Sequence, residues 1–278
     1  MNPRELDVVL TFIQQHPEAA ARELELLPQE AAAELVQMLP LAQGRQLITH
    51  MLPPYAARLC IQLSLYKAVS LLAEFNSNQM AVILRSMPKR KRNDLLKVLP
   101  EKAAALCRLL LSYSDDSVGA SMRADFVMLP SNCSVADALQ RFSAAAGSSM
   151  GEALPVVDGD CHLAGVVHLR ELLRANQDAS ILPLQQPAPA TLSSRTSLGV
   201  AARHEGWQQY DILPVLNRNK QLVGLLHHVD VRRSLDQFGE ISRTVSQEDF
   251  LGGLGEAYKG ALVALLGLVD RQPGPDVK

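Results

Sequence analysis

The chain has no apolar run near the ~20 residues that a bilayer-spanning helix needs. Its longest such run is nine residues, Ala261–Val269, so no membrane span is expected. Cysteine is sparse: Cys60, Cys107, Cys133 and Cys161 include no CxxC pair. A reduced, cytoplasmic setting with the thiols as small core residues follows. The opening MNPRELDVVL lacks a basic stretch followed by an apolar one, so a signal peptide is not expected. Aromatics make up 4% of the chain, too few to interleave with basic residues, which makes nucleic acid an unlikely partner. Neither charge dominates, with 27 basic against 29 acidic residues. HExxH, P-loop and GxGxxG patterns are all missing, and no enzyme is expected.

The first third is rich in Ala, Leu, Glu and Gln, and is punctuated by Leu27-Pro28, Leu39-Pro40, Leu52-Pro53, Met87-Pro88 and Leu99-Pro100. Successive prolines are 12, 13, 35 and 12 residues apart, the long gap being close to three of the short ones. Proline is tolerated in the first turn of a helix and pushes the residue before it out of the α region. Each pair therefore ends one short helix and starts another. Helices this short are marginal alone and gain stability by stacking apolar faces, as in a solenoid or an irregular bundle.

Charge is unevenly spread. Residues 1–34 carry two basic against seven acidic side chains, and residues 35–112 carry eleven against three. Lys89-Arg90-Lys91-Arg92 follows Met87-Pro88 and is expected to form a helix's first turn. Positive charge there opposes the helix dipole, at about 0.3–1 kcal/mol per exposed charge. Either the turn is a solvated junction or it meets an acidic surface. That surface could belong to this chain, a dimer partner, another protein such as a membrane transporter, or an anionic headgroup layer.

The second half contains an ungapped duplication at an offset of 59: residues 153–173, ALPVVDGDCHLAGVVHLRELL, against residues 212–232, ILPVLNRNKQLVGLLHHVDVR. Each copy reads as strand, polar turn, strand, helix, and an amphipathic helix precedes each, over 135–143 and 198–206. His227 and His228 face opposite ways on a strand and cannot chelate one metal together. Asp116, Asp158 and Asp160 are candidate metal ligands, each with a turn or capping role as the alternative. Phe250, Leu254, Tyr258, Leu262, Leu265 and Val269 recur at helical spacing and predict an amphipathic helix over 244–271, which would pack on the rest of the chain, across a dimer, or on a membrane partner.

The repeated helix–LPVVD–LxGVV–helix order resembles a tandem pair of CBS domains, about 123–178 and 183–236. Tyr113-Ser-Asp-Asp-Ser-Val-Gly-Ala-Ser-Met122 is similar to the linker joining helical superhelix and CBS pair in MgtE-type magnesium transporters. The resemblance implies an α+β multidomain fold: an all-α superhelix over 1–112, a linker over 113–122, the CBS pair over 123–236 and a C-terminal helix, without the transmembrane domain. It also implies a regulatory or scaffold role in divalent-cation homeostasis and a homodimer through the CBS pair. Mg²⁺ needs clustered oxygen ligands. The stretch matching the family's acidic cluster is here Met87-Pro-Lys-Arg-Lys-Arg-Asn-Asp94, mostly cationic, which implies a desensitised relative. CBS pairs often bind adenine nucleotides through a Ser/Thr and an Asp three residues later. The corresponding residues are His168 and Glu171 in the first copy, and His227 and Asp230 in the second, with Pro214 beside them and Asp230 the better match.

Overall fold

The computed structural model describes residues 3–145 and 152–241. The predicted C-terminal helix over 244–271 lies outside them. Two compact units emerge among the described residues: those up to Phe75 together with Val82–Leu99, and Asn76–Ala81 together with residues 100–241.

The first unit is an array of short helices: α1 (Pro3–Gln15), α2 (Pro17–Leu26), α3 (Gln29–Met38), α4 (Leu41–His50), α5 (Pro53–Gln62), α6 (Leu65–Leu72) and, after the segment carrying α7 (Ser77–Arg85), α8 (Lys89–Val98). Helices two apart in sequence pack together: α2 on α4, α3 on α5, α4 on α6 and α6 on α8. Pro28, Pro40 and Pro88 stand at N-caps, one residue before the first turn, whereas Pro17 and Pro53 occupy it. Leu39 and Leu99, before Pro40 and Pro100, are extended and inserted into the core, and Met87 before Pro88 is buried too. Proline is absent where the long gap falls, and side chains cap instead. The Ser64 hydroxyl accepts from the Lys67 amide, and Asn76 and Gln79 exchange hydrogen bonds ahead of α7.

Period-12 ties reinforce the array. Glu25 accepts from the Leu52 amide at 2.7 Å, and twelve residues on, Gln37 accepts from the Ser64 amide at 3.3 Å. Each tie satisfies a backbone donor at a helix start that would otherwise lack a partner.

The second unit holds α9 (Glu101–Leu111), α10 (Val118–Ser121) and two three-stranded sheets. In the first half, β1 (Leu129–Pro130) runs parallel to β2 (Ala153–Val157), which is antiparallel to β3 (Leu163–His168). β4 (Leu192–Ser193), β5 (Ile212–Leu216) and β6 (Leu222–His227) repeat this order in the second half, with a register shift at the equivalent place. Helices α11 (Val135–Ala144) and α12 (Leu169–Arg174) belong to the first half; α13 (Leu198–Ala201) and α14 (His228–Ile241) belong to the second. Helix α13 stops at Ala201, well short of the expected Gly206. The His204 ring accepts from the Gly206 amide and turns the chain into a 3-10 segment over Glu205–Gln208.

The halves exchange their leading segments. Arg123 pairs with Leu225 on β6 of the second half, and Gln186, ahead of the second half, pairs with Val166 on β3 of the first. Glycine permits both approaches. A Cβ on Gly165 meets the Gln186 carbonyl at 2.5 Å, and one on Gly224 meets Met122 Sδ at 2.6 Å. Each half has its own core. Leu129, Val135, Leu154, Val156, Val167 and Leu172 fill the first. Their counterparts Leu192, Leu198, Leu213, Val215, Leu226 and Val231 are all buried in the second, whose core also takes in Leu110 of α9 and Val118 of α10.

Candidate functional site

The strand-to-helix corners of the two halves collect the five candidate nucleotide-binding residues. Pro214 is buried in β5 opposite Leu225, His227 ends β6, and Asp230 lies in the first turn of α14. Antiparallel pairing of β5 with β6 fixes this corner, because the apolar LPVL and LVGLL runs place alternate side chains into the core. His228 leaves the strand and stacks on Trp207, ring centroids 4.9 Å apart and 11° from parallel. The indole Nε1 donates to the Ala201 carbonyl, so this pair closes α13 against α14.

Asp230 is already engaged. Arg123 donates Nε to one carboxylate oxygen at 2.7 Å and a second guanidinium nitrogen to the other at 3.2 Å. The side chains retain 23% and 16% of their exposure, so the pair is largely withdrawn from water. Sequence reasoning missed Arg123. The partners are 107 residues apart, and only the exchange of leading segments brings them together.

In the first half, His168 is the N-cap of α12 without a side-chain capping bond. Glu171 sits in that helix's first turn, 3.2 Å from Arg170 Nε. Gln186 occupies the edge position that Arg123 holds in the other half.

The candidate metal ligands do not converge: among the described residues no group of three or more His, Cys, Asp or Glu side chains could hold an ion. One Asp158 carboxylate oxygen accepts from the amides of Asp160 and His162, and the other lies 3.3 Å from the His162 ring. The His162 amide is the main cause that holds this carboxyl below its usual range. Asn217 builds the same turn with its amide oxygen. Cys161 and Lys220, equivalent in the two turns, both take positive φ, 64° and 62°. The turns clasp each other: His162 Nε2 lies 3.1 Å from the Asn219 carbonyl, and Gln221 donates to the Asp160 carbonyl at 3.1 Å. Asp160 is exposed, and Asp116 contributes its backbone carbonyl, accepting from the Leu198 amide at 2.7 Å.

In the helical unit, Lys89–Arg92 form the first turn of α8, as expected. Lys89, Arg90 and Lys91 are exposed and Arg92 is half-buried. The N-cap is Pro88, which offers no side-chain acceptor, and the turn contains no acidic residue. An ion pair within this helix lies toward its other end, Lys97 to Asp94 at 3.5 Å.

Against known proteins, residues 15–116 match the MgtE intracellular N domain and residues 117–178 match the CBS domain. The crystal structure of the cytosolic domain of the Mg²⁺ channel MgtE in complex with ATP superposes with a TM-score of 0.65 at 22% identity, covering 80% of this chain and 96% of that one. The soluble part of a magnesium transporter superposes with a TM-score of 0.59 at 21% identity, over 84% and 98% of the two chains. An uncharacterized protein of Bacillus subtilis (strain 168), YtoI, is 28% identical over 81 residues, which span 29% of this chain and 18% of YtoI. Among the described residues, no helix is long and apolar enough to cross a membrane.

Proposed function

Since this chain joins an MgtE intracellular N domain to a pair of CBS modules, we propose that it is a non-catalytic regulatory and docking protein of divalent-cation homeostasis that does not itself respond to Mg²⁺. It acts in the cytoplasm and pairs with a second copy through the CBS modules. The observation that carries this reading is the first turn of α8, where three exposed cations and a half-buried fourth follow one another. A surface bridged by Mg²⁺ needs clustered carboxylate oxygens, and four adjacent cations repel the ion. The same turn, with helix dipole and side-chain charge of one sign, attracts acidic protein surfaces directly. A salt bridge here replaces what a bridging ion does in a sensor.

Small-angle scattering of the full chain, in chelator and in millimolar Mg²⁺, tests this. The radius of gyration is expected to stay the same. Marked compaction on adding Mg²⁺ sinks the reading.

A second reading draws on the ATP held by the superposable Mg²⁺-channel domain. In it the CBS pair binds an adenine nucleotide at its strand-to-helix corners and passes that signal to a partner. On this reading Asp230 and Glu171 are the carboxylates that meet a ribose, with Pro214, His227 and His168 beside them.

A further inference from the structure

The duplicated module repeats its backbone and breaks its symmetry at one charged position. Glu171 stands where the second half has Asp230, and Gln186 stands where it has Arg123. In the second half the leading segment sends a guanidinium into the corner, and both carboxylate oxygens are taken. In the first half that segment offers a neutral amide, and among the described residues Glu171 pairs with its chain neighbour Arg170, itself 66% exposed. An exposed pair of this kind is worth little and yields readily to a competitor. A planar, bidentate guanidinium–carboxylate pair withdrawn from water is among the strongest side-chain contacts, and separating it leaves a charge without a partner.

We propose that Arg123 is a built-in plug of the second half, so that the module accepts an adenine nucleotide at Glu171 in the first half and at Asp230 only when Arg123 lets go. This rests on the nucleotide reading above and adds a ranking and a control element to it. The plug belongs to the segment that enters the module from α9 and α10, so releasing it also loosens that segment's side-chain hold on α14. The backbone hold remains, because the Arg123 amide donates to the Leu225 carbonyl at 2.7 Å and the Leu225 amide returns the bond at 3.0 Å. Replacing the side chain therefore leaves the leading segment seated.

Isothermal titration of the full chain with ATP and with AMP tests the proposal. Wild type is expected to bind one nucleotide per chain, with binding lost in Glu171→Gln. Arg123→Gln is expected to add a second site. A pocket closed most of the time loses apparent affinity in proportion to its open fraction, so the gain at that site is about tenfold or more. Arg123→Lys keeps the charge without the fork and is expected to show the same change at smaller size, which guards against a folding defect in the first variant. Two sites in wild type, or weaker binding in Arg123→Gln, each overturn the plug. An unchanged single site in Arg123→Gln overturns the plug alone, whereas no binding in any variant overturns the nucleotide reading and the plug with it.

Discussion

The two halves of the module are one design executed twice, and their differences show which contacts the design requires. Strand pairing, the bulge between equivalent residues, the side-chain-anchored turn and the positive φ after it recur in both. What varies is the material pressed against the common frame. Beside Gly224 lies Met122, fully buried and flexible, whereas beside Gly165 lies the backbone carbonyl of Gln186. The frame fixes where the leading segment must pass, and each half fills the remaining space with what its own neighbours supply.

Alanine substitution at the two glycines separates frame from filling, with the largest effect expected in this comparison. At Gly165 the new methyl meets a carbonyl held by paired hydrogen bonds between Val166 and Gln186, at 2.8 and 3.0 Å. That strand edge has to open, at about 3 kcal/mol. At Gly224 the methyl meets Sδ and Cγ of the buried Met122 at 2.6 and 2.7 Å, a flexible side chain that has to repack, and a carbonyl no nearer than 3.1 Å, at about 2 kcal/mol. Thermal unfolding is expected to fall further for Gly165→Ala than for Gly224→Ala. Equal losses mean that the leading segments sit equally loosely.

The helices that open each half differ more gently. Ser134 caps α11 with a full reciprocal box, its hydroxyl accepting from the Asp137 amide at 3.1 Å while the Asp137 carboxylate takes the Ser134 amide at 3.3 Å. Its counterpart Ser197 makes no capping bond and precedes a helix of only four residues. Ser134→Ala is expected to cost about 1 kcal/mol by denaturant unfolding. Ser197→Ala is expected to stay within about 0.5 kcal/mol. A larger loss at Ser197 contradicts the assignment.

Much of this architecture is legible in the sequence because it rests on short-range chemistry. The Leu-Pro punctuation marks helix boundaries, since proline restricts both itself and its predecessor. The 59-residue repeat marks both sheets, since alternation and turn residues are local signals. The unpunctuated stretch between Pro54 and Pro88 was readable too, in Asn76-x-x-Gln79, which is a capping pattern. The site was less legible. The Asp230 position could be found from the motif, but its occupant could not. A lone Arg123 carries no local mark, and its role arises from an exchange of segments that neither copy shows by itself. Asp158 has the alternation of a metal loop, yet backbone amides had already claimed its carboxylate.

That claim gives the smallest and most specific contrast between the halves. The same turn is built on an ionisable carboxylate at Asp158 and on a neutral amide at Asn217. Hydrogen bonds from the His162 amide first, and then from the Asp160 amide and the His162 ring, lower the Asp158 carboxyl from its ordinary value. A carboxyl lowered on folding contributes stability that is fully present above its unfolded value. The contribution drains away as pH falls through the folded value, because the unfolded chain then binds the proton more readily. The first turn should therefore weaken in acid and the second should not. Asp158→Asn converts one into the other without changing its shape. Midpoints of thermal unfolding for wild type and Asp158→Asn are expected to draw together, or cross in favour of the variant, as pH drops from neutral to below about 4. The lowered carboxyl of Asp137 is common to both proteins and cancels in the difference. A gap between the two midpoints that does not change over this range means that the turn draws nothing from the carboxylate's charge, and the amide of Asn217 is then its full equivalent.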